Sequence, residues 1–168
     1  MHPTTGKPFR QPRIETIMAK TLAGTRLTMS LVANKTGELW RAFMPLRHLI
    51  TNRLTTDLVS LQTYPQHYFE AFNPAIEFEK WALAEVADTA NLPSGLLPFT
   101  LPGGLYAVFL HQGASTDTRT IQYIFTTWLP ASGYELDDRP HFEVLGAHYR
   151  NDHPDSEEEL WIPIRPRA

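Results

Sequence analysis

The sequence contains no cysteine, which excludes disulfides, thiolate metal sites and a cysteine nucleophile. It has no apolar run long enough to span a membrane, and its first residues, 1–12, are polar and contain proline rather than resembling a signal peptide. An excess of positive charge is also missing, because 15 Lys and Arg stand against 18 Asp and Glu. The sequence therefore lacks the excess of Lys and Arg that is typical of nucleic-acid-binding domains. We expect a cytoplasmic protein that contacts neither a membrane nor nucleic acid directly.

Sequence motifs of several enzyme classes are missing as well. The chain has no Gly-rich phosphate loop, no His-Glu-x-x-His and no Gly-x-Ser-x-Gly. A metal site is not indicated, because metal ligands converge from rigid elements and the candidate set falls partly in a Pro-containing loop. That set is His141, His148, Asp152, His153 and Asp155. We expect no metal and no cofactor.

What the chain does contain is a repeated pattern. Glu-x-Trp occurs as Glu79 and Trp81 and again as Glu159 and Trp161, and 159 − 79 = 161 − 81 = 80. The same offset relates two further pairs, Gly24 with Gly104 and Thr36 with Thr116. Four matches at one offset indicate a duplicated unit. Two such units can pair about an approximate two-fold axis, with a ligand between them.

Turn residues and hydrophobic periodicity predict an α+β fold built from two strand-helix-strand-strand repeats. The antiparallel sheets would form a central ligand groove, with the helices packed on the other face. We expect a flexible lead-in at 1–12 and one domain at 13–168, divided into a first repeat at about 13–87, a connector at 88–102 and a second repeat at about 103–165. The predicted strands are 14–31 with a bend at Gly24, 58–64, 78–86, 103–110, 142–149 and 158–164.

Two helices are expected from apolar residues at helical spacing. The first begins near Thr36, and Pro45 should kink it or end its first part near Ala42 to Met44. The second is capped by Asp117, carries Trp128 on its apolar side as a core residue, and ends at Pro130.

In the last strand, alternation puts three apolar side chains on one face, which we expect to be buried under the helices. Glu159 and Trp161 take the other face, predicted to line the groove. The three apolar residues are Leu160, Ile162 and Ile164.

Several segments, taken together in this order and spacing, resemble the GyrI-like, or bacterial transcription activator effector-binding, domain family. They are the segments 39–45, 104–109, 127–134, 139–144 and 159–164, which read LWRAFMP, GLYAVF, TWLPASGY, RPHFEV and ELWIPI. The resemblance covers roughly residues 13–166. It implies paired repeats around a pseudo-two-fold axis, with a central cavity that binds amphipathic or aromatic small molecules.

The resemblance also singles out Glu159, because the family carries a glutamate directly before the Leu-aromatic-Ile-Pro run. Beside Trp161, such a carboxylate would accept a cation in an aromatic cage, and burial would raise its pKa. A structural, hydrogen-bonded role for Glu159 is the alternative. Glu79 matches no family signature and is expected on a solvated face. Further candidate ligand-binding residues, each of which could instead belong to the core, are Tyr64, Trp81, Tyr106, Phe142 and Tyr149.

The leading functional hypothesis is a stand-alone small-molecule-binding protein, since 168 residues leave no room for a helix-turn-helix domain beside this one. The first alternative is a hydrolase of reactive, cyclopropane-type compounds, in which Glu159 with Tyr106 or Tyr149 activates water. The second is an inhibitor that binds gyrase or a regulator protein. The sequence does not identify the ligand.

Overall fold

The computed structural model describes residues 11–168, so ten of the twelve residues of the expected lead-in lie outside the described part. Within this part, antiparallel strands dominate, and the expected α+β class is confirmed. The strands are β1 Arg13–Ile17, β2 Lys20–Met29, β3 Leu58–Thr63, β4 Phe78–Glu85, β5 Leu97–Leu101, β6 Gly104–Gln112, β7 Tyr134–Leu136, β8 His141–Leu145 and β9 Glu157–Pro166.

Two helical segments lie between the strands. The first is α1, Thr36–Leu46, followed by a 3₁₀ turn at Arg47–Leu49. The second consists of α2, Arg119–Tyr123, a π-helical turn at Ile124–Trp128 and α3, Leu129–Ala131. Neither segment is long and apolar enough to cross a membrane.

The strands are ordered β1-β6-β9-β8-β3-β4-β2-β5, with β7 alongside β9. At the centre, Leu61 of β3 lies opposite Phe142 of β8. On the outer side of this pair, Trp81 of β4 lies opposite Leu61, and Trp161 of β9 lies opposite Phe142. The two tryptophans therefore occupy corresponding positions in the strand order. Superposition of residues 13–87 on 103–165 stays a prediction.

Alternation along the strands gives the sheet two different faces. One face carries the helices: Phe43 of α1 shares a hydrophobic core with Ala82 and Ala84, and Ile124 shares one with Leu160 and Ile162. As expected from the pattern of the last strand, Leu160, Ile162 and Ile164 are buried on this helix-bearing face. The opposite face has its own core, made of Leu22, Val59, Leu61, Trp81, Leu83, Leu101, Tyr106, Val108, Phe142 and Trp161.

Pro45 and Gly24 act differently from the expectation, whereas the second helical segment does end next to Pro130. Pro45 lies in the last turn of α1, which continues to Leu46 before tightening into the 3₁₀ turn. Pro130 lies in the first turn of α3, where its missing N–H is tolerated, and the helical segment ends one residue later. The strand expected over 14–31 is two strands, β1 and β2, which are separated at Met18 and Ala19, and β2 runs unbroken through Gly24. Gly24 permits close strand contact, since a Cβ at this position would lie 1.8 Å from the carbonyl oxygen of Ala82.

Candidate ligand-binding cavity

The helix-bearing face of the sheet contains a cavity of about 910 Å³. It lies between α1 on one side and residues 111–121 on the other, and strands β3, β4, β8 and β9 form its floor. This volume suits a drug-sized molecule. We expected the groove on the face opposite the helices, whereas this cavity lies on the same face as the helices, in the space between them.

Much of the cavity wall is apolar. Trp40 contributes from α1, and its ring meets that of Phe43 edge-to-face at 5.7 Å between centroids, which anchors it to the core. The other apolar or aromatic lining residues are Met44, Pro45, Leu58, Ile121, Leu145, Tyr149 and Leu160.

Glu143 lies on the cavity floor. Alternation in β8 turns it toward the helices, opposite Ser60 of β3, and the Nε2 of Gln62 donates to its Oε2 over 3.1 Å. Burial raises the pKa of this carboxyl to about 7, and the nearby charge of Glu158 adds to the rise, while Lys80 and the Gln62 hydrogen bond oppose it. A carboxyl with such a pKa changes its charge near neutral pH.

Glu158 is the second cavity carboxylate, and its side chain is buried. Ser115 donates from its hydroxyl to Oε2 over 3.3 Å. Burial raises the pKa of Glu158, although the Ser115 hydrogen bond and the charge of Lys80 act in the opposite direction. Both cavity carboxylates thus have neutral hydrogen-bond donors as their direct partners.

The cavity also contains a cation, Lys80 of β4. Its Nζ donates to the hydroxyl of Thr36, at the start of α1, over 3.2 Å. That hydroxyl can itself donate to the Oδ1 of Asn34 at 2.6 Å, which leaves a lone pair for the ammonium. Within the described residues, Lys80 forms no direct ion pair.

His111 shapes the edge of the cavity next to Ser115. Its ring is buried, and Nε2 donates to the carbonyl oxygen of Ala114 over 2.8 Å, because a carbonyl can only accept. The other ring nitrogen, Nδ1, lies 2.7 Å from the hydroxyl of Thr120. With both nitrogens engaged, His111 holds the loop that follows β6 in place.

Glu159 and Trp161 lie on the opposite face of the sheet, away from this cavity. Glu159 does bind a cation beside an aromatic ring, but the cation belongs to the chain itself: Arg13 Nη1 is 2.7 Å from its Oε2. The Arg13 guanidinium lies 5.5 Å from the ring centroid of Trp161, whose Nε1 donates to Glu159 over 3.4 Å. The physical reason is strand alternation, since Glu158 and Glu159 must point to opposite faces.

The same arrangement occurs at the earlier Glu-x-Trp. Trp81 Nε1 donates to Glu79 over 2.8 Å, Arg26 lies 3.7 Å from the Glu79 carboxylate, and its guanidinium is 5.5 Å from the Trp81 ring. Glu79 is therefore ion-paired at a half-exposed position.

Most of the aromatic residues expected in the groove belong to the core of the opposite face. Phe142 stacks on Trp161 with 5.2 Å between ring centroids, and Tyr106 is fully buried against both rings. Tyr64 lies on the helix-bearing face but beyond the cavity, among Tyr68, Phe69, Phe78 and His141. Of the candidate ligand-binding residues expected from the sequence, Tyr149 lines the cavity.

Four cavity residues are not among those predicted from the sequence: Lys80, Glu143 and Glu158, which carry charge, and Trp40. A signal for two of them existed, because Glu158 alternates in phase with Leu160 and Ile162, and Glu143 with Leu145. Alternation alone, however, does not tell which face of β9 meets the cavity, and the structure shows that it is the apolar face.

Comparison with known proteins gives relatives in sequence and in structure. The chain is 29% identical over 130 residues to the transcriptional regulator BrlR of Pseudomonas aeruginosa, a match that covers 76% of this chain and 46% of BrlR. The chain thus spans under half the length of that relative.

Two solved structures share the fold. SAV2435, in its structure bound to tetraphenylphosphonium, superposes with a TM-score of 0.65 at 14% identity, covering 93% of this chain and 94% of SAV2435. An integron cassette protein from the mobile metagenome of Vibrio cholerae superposes with a TM-score of 0.62 at 17% identity, covering 94% and 97%.

The profile of one protein family, described as integron-associated effector binding protein, matches residues 13–164. The match extends over both halves of the sheet and both helical segments. The resemblance to GyrI-like effector-binding domains is confirmed, and the chain belongs to the Cass2 family of integron-associated effector binding proteins.

Proposed function

We propose that this protein binds amphipathic, aromatic cations reversibly in the cavity between α1 and residues 111–121. Glu143 and Glu158 accept the positive charge, and Trp40, Ile121 and Leu160 contact the apolar part of the ligand. The observation that carries the proposal is Glu143, a half-buried carboxyl on the cavity floor whose direct partner is the neutral amide of Gln62.

A carboxylate in this position favours a ligand that brings its own positive charge. An ionised group under an apolar wall is costly unless it is paired, and Glu143 responds to that cost by a raised pKa. A cation in the cavity would pair with Glu143 and restore its charged form. Tetraphenylphosphonium, the ligand in the SAV2435 structure, belongs to this chemical class, which supports the choice.

The test is a calorimetric titration of the protein with tetraphenylphosphonium. We expect saturable binding, which Glu143→Gln weakens by about tenfold or more, that is by about 1.4 kcal/mol. The matched control is Glu159→Gln, which makes the same chemical change on the opposite face and should leave the affinity within about twofold. Loss of affinity in Glu159→Gln but not in Glu143→Gln would show that the ligand binds at Glu159 and would contradict the proposal.

Hydrolysis is the second candidate function, favoured by one observation. A carboxyl with a pKa of about 7 is suited to general acid-base catalysis at neutral pH, and Tyr149 lines the same cavity as Glu143. In this function Glu143 would activate water, the role expected of Glu159 from the sequence. Incubation with a cyclopropane-bearing electrophile, with and without Glu143→Gln, tests it: a product that forms only with the unaltered protein would support turnover.

A further inference from the structure

The cavity contains charges of both signs, held on different strands. We infer that the ligand of this cavity is dipolar, an inference that rests on the proposed function. A cationic group of the ligand binds to Glu143 and Glu158, and an anionic group binds to Lys80. The ligand class would then be compact aromatic compounds that carry an amine and a carboxylate at separate positions.

The strand order keeps the two signs apart. Glu158 is on β9, Glu143 on the adjacent β8, and Lys80 on β4, which is two strands away from β8. Neighbouring strands are about 4.8 Å apart, so the backbones of Glu143 and Lys80 are about 10 Å apart across the strands. They are also offset by two residues along the strands, because Ser60 pairs with Glu143 whereas Gln62 pairs with Lys80. Ser60 of β3 lies between Glu143 and Ala82, and its small side chain lines the floor of the cavity.

Lys80 is fixed on its own side of the cavity rather than paired with a carboxylate. Its described hydrogen bond goes to the hydroxyl of Thr36, while the two glutamates are hydrogen bonded by Gln62 and Ser115. Glu143, Glu158 and Lys80 thus face one cavity without a direct ion pair between them in the described chain. Since an unpaired charge under apolar walls is unfavourable, a ligand that pairs with both signs would remove two such costs at once.

A simple cation and a dipolar ligand differ in how Lys80 acts on them. The simple cation is attracted by the carboxylates and repelled by the ammonium, whereas the dipolar ligand is attracted by both. Arg41, an exposed residue of α1 that also lines the cavity, adds a second positive charge on the Lys80 side. The two positive side chains therefore select for an anionic group at the α1 side of the cavity.

Two fluorescent dyes that differ in a single chemical group test whether the cavity selects a dipolar ligand. Rhodamine 110 carries a free carboxylate, and rhodamine 123 is its methyl ester, so both share the same xanthene cation. Fluorescence anisotropy gives the affinity of each dye at pH 8. We expect the protein to bind rhodamine 110 more tightly, by about fivefold or more, as is reasonable for one charge pair in a cavity.

The decisive variant is Lys80→Met, which keeps an unbranched side chain that is one atom shorter and removes the charge. It should weaken rhodamine 110 binding by about tenfold and leave rhodamine 123 bound equally or more tightly, which abolishes or reverses the preference. Lys80→Arg should retain the preference, and circular dichroism of each variant checks that it is folded. Lys20→Met is the matched control, because Lys20 lies 3.8 Å from Glu85, outside the cavity.

The outcomes separate this inference from the proposed function. If tetraphenylphosphonium binds but rhodamine 110 does not, or if Lys80→Met and Lys80→Arg change both dyes equally, the ligand is a simple cation and the dipolar inference is overturned. If neither dye nor tetraphenylphosphonium binds saturably, the proposed function itself fails.

Discussion

Gln62 donates its side-chain N–H to Glu143 across the central strand pair, with 3.1 Å between Nε2 and Oε2. A primary amide can serve either form of a carboxyl, because its N–H donates to the carboxylate and its oxygen accepts from the protonated acid. Glu143 can therefore titrate in place without losing its partner. Glu159, in contrast, has Arg13 as a permanent cationic partner at 2.7 Å.

Glu143 should make stability fall as pH rises. Its pKa is about 7 in the folded protein against an ordinary 4.5, so between these values the folded state holds a proton that the unfolded state has released. The free energy of unfolding should decrease over this range by up to about 1.4 kcal/mol per pH unit from this group, and level off above pH 7. Urea unfolding at several pH values measures it. A Glu143→Gln variant that retains the whole slope would contradict the assignment.

Cation affinity should change with pH in the other direction. Tetraphenylphosphonium does not titrate, and it favours ionised Glu143, so its affinity should rise between about pH 6 and pH 8 and then level off. Titrations in buffers of different ionisation enthalpy should also reveal proton release on binding. Glu143→Gln should flatten the profile. A steep profile that persists in this variant would identify another titrating group, with Glu158 as the first to examine.

Trp161→Ala should act on stability rather than on ligand affinity. Trp161 is buried on the opposite face and stacks on Phe142, so its removal leaves a cavity in that core and should cost about 3–5 kcal/mol. Trp40→Ala is the comparison, because Trp40 is half-buried and lines the ligand cavity. It should weaken binding of an aromatic cation more than it lowers the unfolding free energy. The opposite ranking of the two variants would show that ligand binds near Trp161.

Gly24→Ala should disrupt the sheet. The new methyl group would lie 1.8 Å from the backbone oxygen of Ala82, and neither strand can move without breaking its pairing. We expect a loss of about 3 kcal/mol or more, measured by thermal or urea unfolding. At Gly37 the nearest atom is the flexible end of Arg41, at 3.3 Å, so Gly37→Ala should be tolerated. Equal stability of both variants would rule out the close approach at Gly24.

Several strands could be predicted from the sequence to within a few residues, including β3, β4, β6 and β9, because apolar alternation bounded by turn residues is a local signal. Two strands were missed for different reasons. β5 contains Pro98 and falls within the connector expected at 88–102, but it lies at an end of the strand order, where a missing N–H is tolerated. β7 has three residues, too few for a periodic pattern.

For the site, the sequence by itself determined which side chains share a face. Alternation in β9 groups Glu158 with Leu160, and Glu159 with Trp161, whatever surrounds the strand. Only the tertiary structure decided which group meets the cavity. That choice depends on α1 and residues 111–121 packing over one face, on Glu143 and Lys80 arriving on other strands, and on Arg13 reaching Glu159 from β1. These contacts join residues far apart in the chain, and a local pattern contains no information about which distant segments pair.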